Sequence, residues 1–237
     1  MSRCDVLMLH GAGGGGWEWD LWRAVFEARG CRVATPDLRP VAAGLAATRF
    51  DDYRRQVDAA LAMPSTRPRV LVGASLGGLL AAACADAVDA LVLVNPLPPA
   101  PWHADLPLRH WPDVVPWGRH ARLASTRRAL PDADAATARR AMQGWRDESG
   151  RVLRDAGAGL AVARPACPVL CVVSTRDDDV PPAVTRAWAH AWQATVWVSP
   201  ATSHVGPLLG NAAARTAAAA SAWLDGLETG DAGEAAR

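Results

Sequence analysis

The chain has no lysine and no isoleucine, one tyrosine and two phenylalanines, and no long uninterrupted apolar run. Each absence excludes something. No apolar stretch approaches the roughly 20 residues that a helix needs to cross a bilayer, so a membrane span is not expected. All 25 basic residues are arginine and they face 24 acids, so a net charge of +1 supplies no overall field to gather nucleic acid. Alanine makes up about a fifth of the chain, which together with the missing lysine and isoleucine is the usage of a GC-rich genome. Arginine counts therefore carry little functional weight. The five cysteines (Cys4, Cys31, Cys84, Cys167, Cys171) are odd in number and scattered, without the paired spacing of a zinc site or a disulfide framework. The N-terminus runs into an apolar strand without a charged-then-apolar leader. A reducing, cytoplasmic setting is the expectation.

What is present is core material. Of 237 residues, 50% are hydrophobic and 21% charged, enough to bury one large domain and too apolar for bulk disorder. Short β-branched runs at 6–9, 31–34, 70–72 and 91–94 alternate with helical patterns: Trp17, Leu21, Val25 and Ala28; Phe50, Tyr53, Val57 and Leu61; and residues 76–86. Continuous apolar strands separated by helices predict a parallel sheet covered on both faces. The alternation stops over residues 96–165, where proline and tryptophan crowd the first part and a helical stretch follows at 133–147. This is read as an insertion. Strands resume at 169–173 and 195–198, a helix covers 211–227, and 229–237 read as a frayed tail.

Gly73-Ala74-Ser75-Leu76-Gly77 lies between a strand and a helix, the setting in which G-x-S-x-G presents a nucleophile. The glycines allow a turn sharp enough to expose the Ser75 hydroxyl, and the following helix start points backbone N–H groups at an incoming carbonyl oxygen. A serine hydroxyl needs a base, and His204 follows the last strand, where a loop can bring it back. Asp177, Asp178 and Asp179 follow the preceding strand. One of them could hold the imidazole tautomer and stabilise its protonated form. After the first strand, the glycines of His10-Gly11-Ala12-Gly13 let backbone N–H groups approach an oxyanion, and Ala12 with Leu76 are the expected donors. His10 itself is read as structural, tying the loop down.

These residues resemble the α/β-hydrolase superfamily over nearly the whole chain. Four blocks carry the resemblance: His10-Gly11 with Trp17 and Trp19, Pro36-Asp37-Leu38-Arg39, the Gly73 to Gly77 elbow, and Asp177-x-x-Val180-Pro181 ahead of Ser203-His204. The resemblance implies an α/β fold with about six mostly parallel strands and helices on both faces. Its core would comprise 1–95 and 166–228, with 96–165 as an inserted cap. It also implies a Ser75-Asp177-His204 triad, Asp177 being singled out by its spacing to Val180-Pro181, and hydrolysis of an ester or thioester through an acyl-enzyme. Trp102, Trp111 and Trp117 would shape a pocket for hydrophobic acyl or aryl groups. Three departures stand out: the family's first antiparallel strands are missing, Ser174 replaces a frequent glycine, and Pro40-Val41-Ala42-Ala43 replaces a glycine-rich run.

Rival readings exist. Gly11-x-Gly13-x-x-Gly16 with Asp37 also fits a dinucleotide fingerprint, but that reading leaves the elbow, the acid loop and His204 unexplained. The same fold and triad also serve lyases, cyclases, cofactor-free haloperoxidases and non-catalytic receptors. No cofactor and no metal is expected, because His103, His110 and His120 are spaced too irregularly to chelate. Residues 96–165 hold eleven arginines against seven acids, which favours an anionic or carrier-linked substrate such as an acyl thioester. The arginine-rich composition accounts for the same excess. The expected partner is a small-molecule substrate, with neither nucleic acid nor membrane involved, and oligomeric state is not fixed by the sequence.

Overall fold

A strand that is apolar on both sides needs helices over each face, and the chain supplies them by alternation. The computed structural model of the protein describes residues 3–229. β1 (Asp5–Leu9) leads through the glycine loop to α1 (Asp20–Ala28), β2 (Arg32–Ala34) to α2 (Phe50–Leu61), and β3 (Arg69–Ala74) to α3 (Leu76–Ala83). β4 (Ala90–Val94) opens a long excursion. It contains an antiparallel pair, β5 (Val114–Val115) with β6 (Glu148–Ser149), and helices α4 (Leu123–Ala129), α5 (Ala135–Gly144) and α6 (Gly150–Gly157). β7 (Val169–Ser174), α7 (Pro182–Ala191), β8 (Thr195–Ser199), α8 (Gly206–Leu209) and α9 (Ala213–Thr229) complete the chain. Apart from Thr229, which closes α9, the tail read at 229–237 lies outside the described residues.

The six strands form one sheet in the order β2-β1-β3-β4-β7-β8, and every neighbouring pair is parallel. No strand of the excursion joins it. Side chains alternate along the strands: Leu71, Leu91, Leu93 and Cys171 enter a layer with residues of α2, α3, α6 and α7. Met8, Val72, Val92 and Val172 enter a second layer with α1, α8 and α9, built around Trp19, Trp22 and Phe26. Because all six strands run the same way, the loops after β1, β3, β7 and β8 emerge at one edge. The connections from β1 and β3 leave in opposite directions, and such a switch point is where open parallel sheets place ligand sites. Among the described residues no helix is long and apolar enough to cross a membrane.

The structure departs from the periodic reading in specific places. α3 stops at Ala83 and a 3-10 turn, Ala85–Ala87, takes the chain to β4 in place of a helix running to 86. The stretch read as helix over 133–147 is α5 alone, begun by Asp134, whose side chain accepts the Thr137 N–H at 2.7 Å. At its other end Trp145 turns extended (φ −60°, ψ 141°), because residues 144–148 leave the helix to grip the glycine loop. α6 and α7 are helices that the periodic reading does not include. Each starts on a local signal, the Ser149 side chain accepting from Val152 N–H and Pro182 at the first helical position.

Candidate active site

β3 ends at Ala74 and α3 begins at Leu76, so the reversal falls on Ser75 alone, at φ 52° and ψ −118°. A non-glycine residue held there stores on the order of 1–3 kcal/mol of strain. Its surroundings hold it: Ser75 N–H donates to Val94 O at 3.1 Å, and Ser75 O accepts from Gly78 N at 2.9 Å and Leu97 N at 3.0 Å. The motif's glycines are required by space. A Cβ on Gly73 would lie 2.1 Å from Gly77 O, and one on Gly77 would lie 2.3 Å from Leu9 O. Leu76, first residue of α3, carries one of the N–H groups that a helix start leaves without an intrahelical acceptor.

His204 and Asp177 arrive on the loops after β8 and β7. The three adjacent acids separate clearly. Asp177 is buried, with Oδ2 2.7 Å from His204 Nδ1 and Oδ1 accepting from Asp179 N and Val180 N, each at 2.9 Å. Asp178 is exposed, and Asp179 pairs with Arg109 at the cavity wall. Burial lowers the affinity of the His204 imidazole for a proton. The charge and hydrogen bond of Asp177, together with Asp179, outweigh this and leave its pKa above the ordinary histidine value.

Residues that no motif singles out hold this loop. Asn95, at the end of β4 with φ 41°, donates through Nδ2 to His204 O at 2.7 Å and to Ser174 Oγ at 2.8 Å. The Ser174 hydroxyl in turn donates to Ser203 O at 2.8 Å. The serine in place of the frequent glycine is therefore a strut. From the excursion, Asp132 accepts from Ser203 Oγ and Thr202 N, both at 2.7 Å.

The glycine loop is equally determined. Burial pushes the His10 pKa down to about 4, so the ring is neutral at neutral pH. With Leu38 N–H donating to Nε2 at 2.9 Å, the proton sits on Nδ1, 2.8 Å from Gly11 O. His10 thus ties the loop down, as its position suggests. Beneath the loop Glu18 is 3% exposed, its Oε2 has no hydrogen-bond partner, and burial raises its pKa to about 8. Asp37, the candidate ribose ligand, is engaged by Gly16 N–H at 2.9 Å and by Arg146 at 3.3 Å.

Ser75, His204 and Ala12 all line one cavity of about 1090 Å³ between the sheet edge and the excursion. Leu97, Leu106, Trp111, Trp117 and Trp145 give it apolar walls, and Trp111 meets Trp117 edge-on at 5.5 Å. Trp102 is not among the lining residues. It packs on the apolar layer of the sheet, because the 3-10 turn carrying it, Trp102–Asp105, lies against α7. Trp145 contributes the wall that Trp102 was expected to supply. Asp177, Asp179 and His204 bring potential metal-ligand atoms within 4.8 Å of one another. Their mutual bond and the Arg109 pair already engage these donors.

A family-wide sequence profile, that of the alpha/beta hydrolase family, matches residues 6–219. No curated protein matches the chain by sequence. Among solved structures, a pyrethroid hydrolase from Sphingobium faniae JZ-2 superposes with TM-score 0.72 at 23% identity, over 95% of this chain and 99% of that one. Polyneuridine aldehyde esterase gives 0.73 at 16% identity, over 94% and 100%. Tomato methylketone synthase I, complexed with 2-tridecanone, gives 0.74 at 15%, over 95% and 99%. At these identities the likeness is one of fold.

Proposed function

The chain belongs to the alpha/beta hydrolase family, and from that premise we propose that it is a serine hydrolase. It cleaves a carboxylic ester or thioester with a hydrophobic acyl or aryl group through an acyl-enzyme. The observation that carries this reading is the 2.7 Å contact between His204 Nδ1 and buried Asp177, beside a cavity that Ser75 shares. With Nδ1 engaged, Nε2 is the nitrogen left for proton transfer.

In this mechanism Ser75 Oγ attacks the acyl carbon while His204 takes its proton, and the Ala12 and Leu76 N–H groups receive the developing oxyanion. Collapse of the tetrahedral intermediate breaks the bond to the alcohol or thiol, which leaves with the proton from His204. Water then attacks the acyl-enzyme, again with His204 as base, releasing the acid and restoring Ser75. Asp177 orients the imidazole and stabilises it when protonated, in keeping with its raised pKa. Residues 96–165 act as the cap over a core made of 1–95 and 166–228, and the tryptophan walls favour apolar groups.

The test is covalent labelling followed by turnover. A fluorophosphonate should label the protein once, at Ser75, Ser75→Ala should abolish labelling, and kcat/KM should rise from acetyl to octanoyl p-nitrophenyl esters. Stoichiometric labelling of Ser75→Ala at another serine would overturn the nucleophile. A flat or falling ester series would overturn the apolar preference, and labelling without ester turnover would favour non-hydrolytic chemistry on the same triad.

A further inference from the structure

The excursion does more than roof the cavity. Residues 144–148 run along the glycine loop and bond to it at successive points. Trp17 Nε1 donates to Gly144 O at 3.1 Å, Arg146 N to Gly13 O at 2.7 Å, and Arg146 Nε to Gly14 O at 2.6 Å. Gly13 N–H donates to Glu148 Oε2 at 3.0 Å. Glu148 is 3% exposed, and its other oxygen accepts from Tyr53 OH at 2.8 Å and Ser149 N at 2.7 Å. A carboxylate buried this deeply is costly unless hydrogen-bonded, and here its acceptor capacity goes to the loop, to α2 and to its own strand.

The geometry of the loop shows what this achieves. A trans peptide points its C=O and N–H in opposite directions. Gly11 O is held by His10 Nδ1 at 2.8 Å and Gly14 N at 3.2 Å, on the side away from the cavity. The N–H of that same peptide belongs to Ala12, which lines the cavity and whose N–H takes no acceptor among the described residues. The next peptide carries Gly13 N–H, fixed by Glu148. With both flanking peptide planes pinned, the dihedral angles of Ala12 have no freedom left.

We infer that Glu148 is a positioning residue for the reaction: from the excursion it accepts the Gly13 N–H and so fixes the loop that presents the Ala12 N–H to the oxyanion. Arg146 acts with it on the following peptide. This rests on the serine-hydrolase reading above. It makes seating of the excursion a condition for a complete oxyanion hole.

Glu148→Gln is the decisive variant. The single amide oxygen goes to the side with two donors, Tyr53 OH and Ser149 N–H, which turns the NH2 group toward Gly13 N–H, so the bond to the loop is lost with little change in shape. Using the p-nitrophenyl ester turned over best, kcat should fall about a hundredfold, the scale of losing one oxyanion donor, with KM within about threefold. Affinity for an alkyl trifluoromethyl ketone, which becomes an oxyanion on Ser75, should fall in parallel. Arg140→Ala, which breaks the ion pair between α5 and Asp20 away from the loop, should leave all three quantities unchanged. Unchanged kcat and ketone affinity in Glu148→Gln would overturn the inference, as would equal losses in substrate and ketone binding. Should that variant not fold, Glu148→Asp decides by the same assays: the shorter side chain draws its carboxylate back from Gly13 N–H, with about a tenfold loss of kcat expected and no loss overturning the inference. Failure of the underlying reading shows separately, as a wild-type protein that is not labelled at Ser75.

Discussion

Ser75 and Ala12 face the same cavity but are held there by different means. The elbow is a local construction: its strand and the β4 carbonyl that receives the Ser75 N–H belong to the sheet, and its helix packs directly on that strand. The glycine loop is fixed from residues more than 130 positions away, through Arg146 and Glu148. One half of the chemistry therefore comes with the sheet, and the other depends on how the excursion sits.

The first way to sharpen the contrast is to damage the sheet-borne half at its acid. Asp177→Asn keeps the shape but favours the wrong imidazole tautomer, and kcat should fall at least about a hundredfold at unchanged Tm. Exposed Asp178 and Asp179 should tolerate the same change within about tenfold. If one of them is instead the crippled variant, the close contact of Asp177 with His204 is not the functional one.

A second effect concerns pH. His204 must be neutral to act as base, and Asp177 raises its pKa, so kcat/KM should rise with pH to a midpoint above about 6.5. In the residual activity of Asp177→Asn that midpoint should move down, since burial is then opposed only by the weaker influence of Asp179. A midpoint that stays put would separate the acid from the base.

The smallest effect lies under the loop and is read in stability. Glu18 keeps its proton in the folded state to about pH 8, whereas its ordinary value is 4.5. Between those values the folded protein binds more protons than the unfolded chain, so stability is full below pH 4.5 and lost as pH rises through 8. Against Glu18→Gln, a neutral isostere, the wild-type Tm should therefore drop by about ten degrees from pH 5 to 8. His10, with its lowered pKa, acts in the opposite sense: it costs stability as pH falls below 6.5 toward 4. That contribution is common to both proteins and cancels. A pH-independent Tm difference would show that the Glu18 carboxyl reaches solvent.

The same contrast governs what the sequence reveals. β3, β4 and β7 are legible because strands buried on both faces must be continuous apolar runs, and β2 and β8 are short apolar runs at the half-covered edges. Ser75 is legible because the glycines that Gly77 O and Leu9 O leave no room to replace stand at fixed spacing around it. Asp177 is singled out among its neighbours only by the spacing of the family it resembles, since the bare sequence leaves three acids open; its burial is what the structure adds. Trp145, Arg146 and Glu148 are not legible: helical periodicity extends α5 through the first two and stops just short of the third, and only the glycine loop, far off in sequence, draws this stretch out of the helix. Trp102 fails for the mirror reason. Its tryptophan and proline neighbours look like a pocket rim, but the direction of one short turn sends it to the sheet. Ser174 reads as a missing glycine until Asn95 and Ser203 stand beside its hydroxyl.

One pair of rings makes the seating of the excursion visible to light. Trp17 on the glycine loop and Trp145 on the excursion lie 5.4 Å apart with their planes at 67°. Two indoles so close and so crossed form a chiral pair, whose coupled transitions shape the circular dichroism of the folded protein. Other crossed indole pairs contribute as well, so the difference spectrum between the wild type and Trp17→Phe isolates this one, and it reports the fit that sets the oxyanion donor without substrate, label or turnover.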